Sequence, residues 1–385
     1  MQAARFIARR LRFRGNLAMA AIAISFFVII IAVAISSGFR KAVRDGVSAA
    51  AGDVQITRID MNVAGDSSSL PATLSCEDRI RALPGVRDIV PAVYRAGIVK
   101  ADGLIHGVLV KGVPGRRDSS LCVSIPERLA EIAGVGVGDD LLTYFVGEKV
   151  KVRRFHVSEV YKSVLEVGET LIVLADLADM QRLDGWEEDQ VSALEVILEP
   201  SRRNDAGETA AAIGTMLLQS EAEEEQELLA ASAQGRYPQL FDWLDLLDFN
   251  VLFILILMTA VAGFNMISGL LILLFRNIPT IGTLKTLGMT DRAIGKVFLR
   301  VASVLVLKGM LIGNGLALLF CLIQDQTHLI RLNPANYFVS SVPVAVNLPA
   351  ILAADALAYG VILLLLLIPT LFIARVDPAD TVRMK

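Results

Sequence analysis

The chain has 385 residues, a formal net charge of −3, 54% hydrophobic residues and a mean hydropathy of +0.57. Soluble globular domains contain about 45–50% apolar residues, so this composition argues against an ordinary soluble protein. No block of basic residues interleaved with aromatics is present, so we expect no nucleic-acid partner.

The apolar excess is concentrated in four blocks, which lie at 17–39, 250–275, 301–324 and 356–374. Crossing a bilayer takes about 20 helical residues, so each block predicts a transmembrane helix. The first block is longer than the apolar core of a signal peptide and is not followed by an A-x-A site, which favours a retained helix. Lys308 interrupts the third block. Two roles stay open for it: a functional buried charge, or a side chain that snorkels to the interface.

Basic residues near the predicted spans set the expected orientation. They cluster before the first span (Arg5, Arg9, Arg10, Arg12, Arg14), between the second and third spans (Arg276, Lys285, Arg292, Lys296, Arg300) and after the fourth (Arg375, Arg383, Lys385). All three clusters fall on one side of a four-span topology. We therefore predict that both termini are cytoplasmic and that the large segment between the first two spans is exported across the membrane.

The resulting organisation is an α-helical membrane domain with four transmembrane helices and a large α+β periplasmic domain between helices 1 and 2. The predicted boundaries are a cytoplasmic N-terminal segment (1–16), the first span (17–39), the periplasmic domain (40–245), the second span (246–275), a cytoplasmic coupling region (276–296), the third span (297–324), a short periplasmic loop (325–352), the fourth span (353–374) and a cytoplasmic tail (375–385).

Within the exported domain, alternating and helical patterns predict short strands and helices in mixed order. Ser75 is a predicted N-cap. Residues 141–145 and 149–160 predict a β-hairpin with a tight turn at 146–149. Residues 205–233 predict one long polar helix, on which the acidic run 221–225 is a solvated face.

No catalytic constellation is visible in the sequence. The three histidines, His106, His156 and His328, lie far from one another, and the glycine-rich stretch 134–138 lacks the lysine of a phosphate-binding loop. We expect no catalytic residue, no metal ligand and no cofactor bound by this chain. Cys76 and Cys122 both lie in the exported domain, and whether they form a disulfide stays open.

The coupling region contains a short amphipathic helix between two spans. Asn277 and Pro279 are suited to its start, Gly288 to its end, and Thr290 to the start of the next helix. The apolar stripe consists of Ile278, Ile281, Leu284 and Leu287. From the residues alone, such a helix either lies in the lipid headgroups or docks in a groove on a cytoplasmic partner.

Residues 281–290 and 294–298 resemble the coupling motif of the FtsX-like permease superfamily. Further stretches resemble its LolC/LolE branch of lipoprotein-releasing permeases, at 6–11, 37–39, 261–268, 309–315, 332–339, 342–344 and 374–380. The resemblance implies that the chain is a transport subunit of the inner membrane rather than an enzyme. Its implied partners are two copies of a cytoplasmic ABC ATPase, which bind ATP and Mg, and a second permease subunit, identical or paralogous.

The resemblance also implies function. In that branch an acylated lipoprotein enters a cleft between the first two spans and leaves towards a periplasmic carrier. ATPase coupling then falls to Ile278, Ile281, Leu284, Lys285, Leu287 and Gly288. Candidates for the lipid and lipoprotein cleft are Met19, Phe26, Phe27, Phe253, Met258, Phe264 and Met266, since flexible Met and planar Phe suit an adaptable apolar surface. Gly269, Gly309 and Gly313 are expected to permit close helix packing.

Two departures from the family pattern leave alternatives open. Thr280, after Pro279, stands where the family commonly has Glu, which predicts a co-adapted ATPase. The tight turn at 146–149 replaces a long loop that captures the carrier in LolC-type chains, so carrier docking here stays open. A mechanotransmitting permease that regulates a cell-wall hydrolase and a MacB-like efflux permease are the alternative functions.

Overall fold

The computed structural model describes residues 16–58, 69–101, 103–115, 121–147, 150–161, 171–332, 339 and 341–370. The predicted basic N-terminus, the motif at 6–11, the basic C-terminal tail, the motif at 374–380 and most of the motif at 332–339 lie outside the described residues. The chain divides into two compact units. A helical unit contains Met1–Arg40, Leu244–Arg331 and Ser341–Lys385, and a β-rich unit contains Lys41–Trp243 and Leu332–Ser340.

The helices are α1 (Asn16–Ala51), α2 (Glu77–Arg81), α3 (Glu127–Ala133), α4 (Leu177–Asp184), α5 (Ala206–Leu218), α6 (Glu223–Gln226), α7 (Ala233–Arg236), α8 (Pro238–Arg276), α9 (Ile278–Thr286), α10 (Asp291–Thr327), α11 (Leu348–Leu365) and α12 (Leu367–Thr370). The strands are β1 (Val54–Arg58), β2 (Leu70–Pro71), β3 (Val86–Ala101), β4 (Leu104–Val113), β5 (Cys122–Pro126), β6 (Asp140–Phe145), β7 (Lys151–Tyr161), β8 (Leu171–Asp176), β9 (Gln190–Val191), β10 (Ala193–Leu198) and β11 (Leu228–Ser232).

Among the described residues, four helical segments are long and apolar enough to cross a membrane, by length and composition: α1, α8, α10 and Leu348–Thr370. They correspond to the four predicted spans. In α1 and α8 the helix continues well beyond the apolar block, over 40–51 in α1 and 238–249 in α8. Asn347 begins α11: its side chain accepts a hydrogen bond from the Ala350 amide at 3.3 Å, and Pro349 occupies the first turn.

The core of the helical unit is built from apolar side chains of α1, α8, α9, α10 and α11. Its fully or nearly fully buried members include Phe26, Ile29, Met266, Ile281, Phe298, Ala358 and Ile362. Many apolar residues on the opposite faces of the same helices remain exposed, for example Leu311 and Leu364 at 67% each. This pattern is what lipid-facing surfaces require, since hydrocarbon solvates them as well as protein does.

The β-rich unit contains one nine-stranded sheet in the order β11-β1-β10-β3-β4-β8-β5-β7-β6. An additional antiparallel pairing of β3 with β6 joins Ile98 to Tyr144 and closes six of these strands into a barrel. Closure removes two exposed sheet edges, which would otherwise invite pairing with other chains. Phe145 and Phe155 pack edge to face in the interior, with ring centroids 6.2 Å apart.

Several sequence predictions for this unit are confirmed. Strands β6 and β7 form the predicted hairpin, with Phe145 opposite Lys151. Helix α3 ends at Gly134, which has a φ of +63°, so the glycine-rich stretch begins as a helix end and leads to the next strand.

The predicted long helix over 205–233 is wrong. Helix α5 ends at Leu218, a short helix α6 follows, and Leu228–Ser232 forms the edge strand β11, paired antiparallel with β1. Pairing with a sheet edge outweighs the helical propensity of this acidic, alanine-rich segment, a case of tertiary context overriding local preference. The acidic run is also not a solvated face throughout, since Glu225 is 3% exposed.

The prediction that Ser75 is an N-cap is also wrong, and its contact with Glu225 explains why. The N-cap position of α2 is Cys76, and the Ser75 amide and hydroxyl instead donate to the Glu225 carboxylate at 2.5 and 2.7 Å. Ser220 donates to the same carboxylate at 2.6 Å. Burial alone would raise the pKa of Glu225, but these hydrogen bonds outweigh it and the pKa is lowered.

No disulfide joins Cys76 to Cys122, since Cys76 is a free, buried thiol. Burial raises the pKa of the Cys76 thiol, and the neighbouring Glu225 carboxylate raises it further. A thiol with a raised pKa carries little of the thiolate that oxidation requires, so its environment fits a packing role.

Candidate functional site

The predicted coupling segment forms a short helix, α9, between the two long helices α8 and α10. Pro279 lies in its first turn as expected, while the Asn277 side chain donates back to the Leu273 carbonyl at 2.8 Å rather than capping α9. Gly288, with a φ of +85°, ends the helix, and its amide donates to the Lys285 carbonyl at 2.9 Å. Thr290 is the N-cap residue of α10, as predicted.

The predicted coupling residues divide between the interior and the surface of the helical unit. Ile281 is fully buried in the core, and Leu284 packs against that core from the side. Ile278 is half-buried. Leu287 is 78% exposed and lies next to the exposed Gly288. One side of α9 therefore anchors the segment, and its C-terminal end presents a large apolar side chain outward.

Lys285 forms an ion pair that the sequence analysis did not anticipate. Its Nζ lies 2.8 Å from Oδ1 of Asp291, and the lysine side chain is only 10% exposed. Asp291 is the first residue of α10, so this contact bridges the turn between α9 and α10. The sequence showed Asp291 as an acidic residue at the start of a helix, a position where the helix dipole favours a negative charge.

The predicted cleft residues do not share one surface. Phe26 and Met266 are buried in the core of the helical unit, at 0% and 1% exposure. Phe27 packs edge to face with Phe320, at 6.3 Å between ring centroids. Met19 and Met258 are half-buried. Phe253 and Phe264 on α8 are exposed, at 62% and 67%, and these two are the cleft candidates available to an apolar ligand.

Two of the three predicted packing glycines, Gly309 and Gly313, lie where helices approach one another closely. A Cβ added to Gly309 would lie 2.7 Å from Cγ2 of Ile22, and one added to Gly313 would lie 3.0 Å from Cβ of Phe26. Both glycines therefore allow α10 to approach α1. Gly263 plays the same role for α8 against Leu365, a contact that the sequence analysis missed, and Gly269 is buried.

Polar contacts join the spans at three levels. Arg40 on α1 pairs with Asp245 and Asp248 on α8, and Ser36 donates to Asp248. Between α10 and α11, Asn314 donates to Asp355 at 2.6 Å, and the Ser303 and Tyr359 hydroxyls lie 2.6 Å apart. The Lys308 side chain on α10 is exposed. The sequence analysis did not single out Asp355, because this residue lies immediately before the uncharged block of the fourth span.

In the β-rich unit, a buried polar cluster surrounds the C-terminal end of α1. Lys111 on β4 lies 2.8 Å from Glu195 on β10, and both side chains are 4% exposed. Lys111 also donates to the Ala50 carbonyl at 2.8 Å, and the Tyr94 hydroxyl donates to Glu195. Burial, together with the Glu195 carboxylate, raises the pKa of Tyr94 well above its ordinary value, so the phenol stays a donor.

A cavity of about 670 Å³ lies on the barrel beside β3 and β4, lined by residues that include Gly97, His106, Gly107 and Arg128. Across the described ranges, no group of three or more His, Cys, Asp or Glu side chains is arranged to hold a metal ion.

Comparison with known families covers most of the chain. Residues 17–215 match the MacB-like periplasmic core domain, and residues 252–378 match the FtsX-like permease C-terminal family. Four apolar helices, a β-rich domain after the first of them and a short helix between the second and third define a transporter permease. The chain belongs to the FtsX-like and MacB-like permease family of ABC transporters.

Similar proteins include the lipoprotein-releasing system transmembrane protein LolC of two Xylella fastidiosa strains, Temecula1 and 9a5c. Each is 24% identical over 415 residues, covering 97% of this chain and 95% of the relative. Among solved structures, the extracellular domain of the noncanonic ABC-type transporter YknZ from Gram-positive bacteria covers 46% of this chain and 99% of its own, with 10% identity and a TM-score of 0.29. The periplasmic region of MacB from Actinobacillus actinomycetemcomitans covers 49% and 91%, with 10% identity and a TM-score of 0.30.

Membership of this family implies a multi-pass protein of the inner membrane, a cytoplasmic ATPase partner and another permease subunit.

Proposed function

We propose that this chain is the permease subunit of an ABC transporter that extracts acylated lipoproteins from the inner membrane and passes them to a periplasmic carrier. The observation that carries the proposal is the similarity to LolC along nearly the whole chain, through both the periplasmic core and the permease region. Both termini are cytoplasmic in this proposal, and the β-rich unit is periplasmic.

The energetics of extraction suit such a machine. Each methylene group withdrawn from the bilayer costs roughly 0.8 kcal/mol, so several acyl chains together cost tens of kcal/mol if fully exposed to water. A shielded path and ATP hydrolysis by a partner offset that cost. The exposed Phe253 and Phe264 on α8 offer apolar surface to such chains.

ATPase coupling is assigned to α9 and its C-terminal end. Leu287 is the residue that carries this assignment, because it is exposed and apolar while Ile281 and Leu284 contact the core. In helix-in-groove recognition, such a projecting side chain enters a pocket of the partner. Lys285 orients the segment through Asp291 and is not free to act as a charged contact.

The first experiment is gentle purification of the chain from its own membranes, with identification of every companion by mass spectrometry. The proposal expects a separate ATPase together with acylated lipoproteins, and the stoichiometry will distinguish one permease type from two. Recovery of an ATPase with a cell-wall hydrolase and without lipoproteins would replace extraction by mechanotransmission.

The match to a MacB-like periplasmic core favours one alternative, an efflux permease. Recovery of an outer-membrane duct protein, again without lipoproteins, would support it over extraction.

The coupling assignment is tested separately with Leu287→Asp. We expect normal membrane insertion and loss of ATPase co-purification. The matched control is Leu218→Asp, since Leu218 is 69% exposed in the β-rich unit and its change is expected to leave ATPase association intact. Equal ATPase recovery with Leu287→Asp and with the control would remove α9 from the coupling interface.

A further inference from the structure

Asn314 and Asp355 form a polar pair between two apolar helices. Asn314 lies in the C-terminal half of α10 and Asp355 in the third turn of α11, both inside the predicted spans. The Nδ2 group of Asn314 donates to Oδ2 of Asp355 at 2.6 Å. Asp355 is only 6% exposed, and an acidic side chain at such a place is costly unless its charge is paired or neutralised.

The amide oxygen of Asn314 and the second carboxyl oxygen of Asp355 have no hydrogen-bond partner among the described residues. Oδ1 of Asn314 and Oδ1 of Asp355 are both buried and unsatisfied. Asp355 also has no ion pair within the described part of the chain; Lys308 on α10 points to the exposed surface, and Tyr359 on α11 is engaged by Ser303. An ionised Asp355 would therefore be a buried, uncompensated charge beside an orphaned amide oxygen.

The two orphaned atoms are complementary if Asp355 carries a proton. A carboxylate only accepts hydrogen bonds, whereas a carboxylic acid has one O–H donor and keeps an acceptor. An amide likewise offers one N–H donor and one carbonyl acceptor to a partner. An acid and an amide placed side by side can therefore exchange two hydrogen bonds, and no polar atom of the pair is left unsatisfied.

We propose that Asp355 is a neutral carboxylic acid that forms a two-hydrogen-bond ring with Asn314 and fastens α10 to α11 inside the membrane. Asn314 Nδ2 donates to Asp355 Oδ2, and the proton on Asp355 Oδ1 is donated to Asn314 Oδ1. The Ser303–Tyr359 hydrogen bond joins the same two helices at a second level.

One consequence rests on the proposed function. Helix α10 begins at Asp291, directly after the coupling segment. A displacement of that segment by an ATPase would therefore move α10 together with α11 rather than α10 alone.

Infrared spectroscopy of the full-length protein in lipid nanodiscs tests the protonation state. The difference between wild type and Asp355→Asn is expected to contain a protonated-carboxyl C=O band that the variant lacks. Asn314→Leu is expected to shift that band, because the acid then loses its acceptor. A difference that contains only carboxylate bands would show that Asp355 is ionised and would overturn the proposal.

Thermal unfolding of the same samples tests the ring itself. Asp355→Asn is expected to retain the wild-type midpoint, since an amide–amide pair also exchanges two hydrogen bonds, while Asp355→Leu lowers it. Equal loss of stability in both variants would also overturn the proposal. If Asp355→Leu does not fold, the infrared result and the unfolding midpoint of Asp355→Asn still test the proposal. Neither measurement involves an ATPase or a cargo, so its failure is separate from failure of the transport proposal.

Discussion

Replacing Lys111 by Met is the most informative perturbation of the β-rich unit. The lysine Nζ contacts the Glu195 carboxylate at 2.8 Å and the carbonyl of Ala50, near the end of α1, at 2.8 Å. Methionine fills a similar volume without the charge or the donors. The substitution therefore leaves Glu195, which is 3% exposed, as a buried carboxylate that has lost its cationic partner.

The expected loss of stability is large. Removing one partner of a buried ion pair costs about 3–5 kcal/mol, because the remaining charge is left uncompensated. For a unit of about 200 residues, each kcal/mol corresponds to roughly 2–4 °C, so the midpoint should fall by roughly 6–20 °C. Replacing both Lys111 and Glu195 by Met should recover most of this loss, since an apolar pair leaves no buried charge.

Intrinsic fluorescence is a suitable assay. The only two tryptophans, Trp186 and Trp243, both belong to the β-rich unit, so the signal reports its unfolding. Lys100→Met is the matched control, because Lys100 is an exposed lysine on the neighbouring strand β3 and should change the midpoint little. A Lys111→Met midpoint that equals that of the control would refute the argument that the buried pair stabilises this unit.

Three further predictions concern separate sites. Gly309→Val should destabilise the helical unit by about 1–3 kcal/mol through overpacking against α1, while Gly315→Val, which meets no atom within 4 Å, should not; thermal melts in detergent compare them. Because the pKa of Glu225 is lowered in the folded protein, its carboxylate stabilises the fold above pH 4.5, the pKa of an unperturbed glutamate, and this contribution is lost as pH falls through the folded-state pKa. Between pH 7 and acidic pH, the melting temperature of the wild type should therefore fall further than that of Glu225→Gln. Phe264→Glu should reduce lipoprotein release from proteoliposomes more than Leu364→Glu does, since both residues are 67% exposed but only Phe264 belongs to the predicted cleft. An equal reduction in both variants would show that Phe264 is a general lipid contact.

Residue composition and spacing were sufficient to predict the four spans, the short helix between the second and third, and the hairpin of β6 and β7, while the family was identified from the resemblance of several motifs. These features depend on local signals: uncharged blocks of bilayer length, glycine at helix ends, and alternation along strands. The roles of Ile278, Ile281, Leu284, Lys285, Leu287 and Gly288 in coupling stay predictions, although the structure now identifies Leu287 as the exposed large apolar side chain among them.

Other features depended on contacts between distant parts of the chain. The sequence of 205–233 predicts a helix, but in the folded chain Leu228–Ser232 pairs with β1 as a strand. Phe26 and Phe264 are equally apolar in sequence, yet one is buried and the other exposed because helix orientation decides which face meets the core. The partners of Lys111, Glu225 and Asp355 are also long-range, because burial makes an unpaired polar group costly and only the folded chain brings a partner within reach.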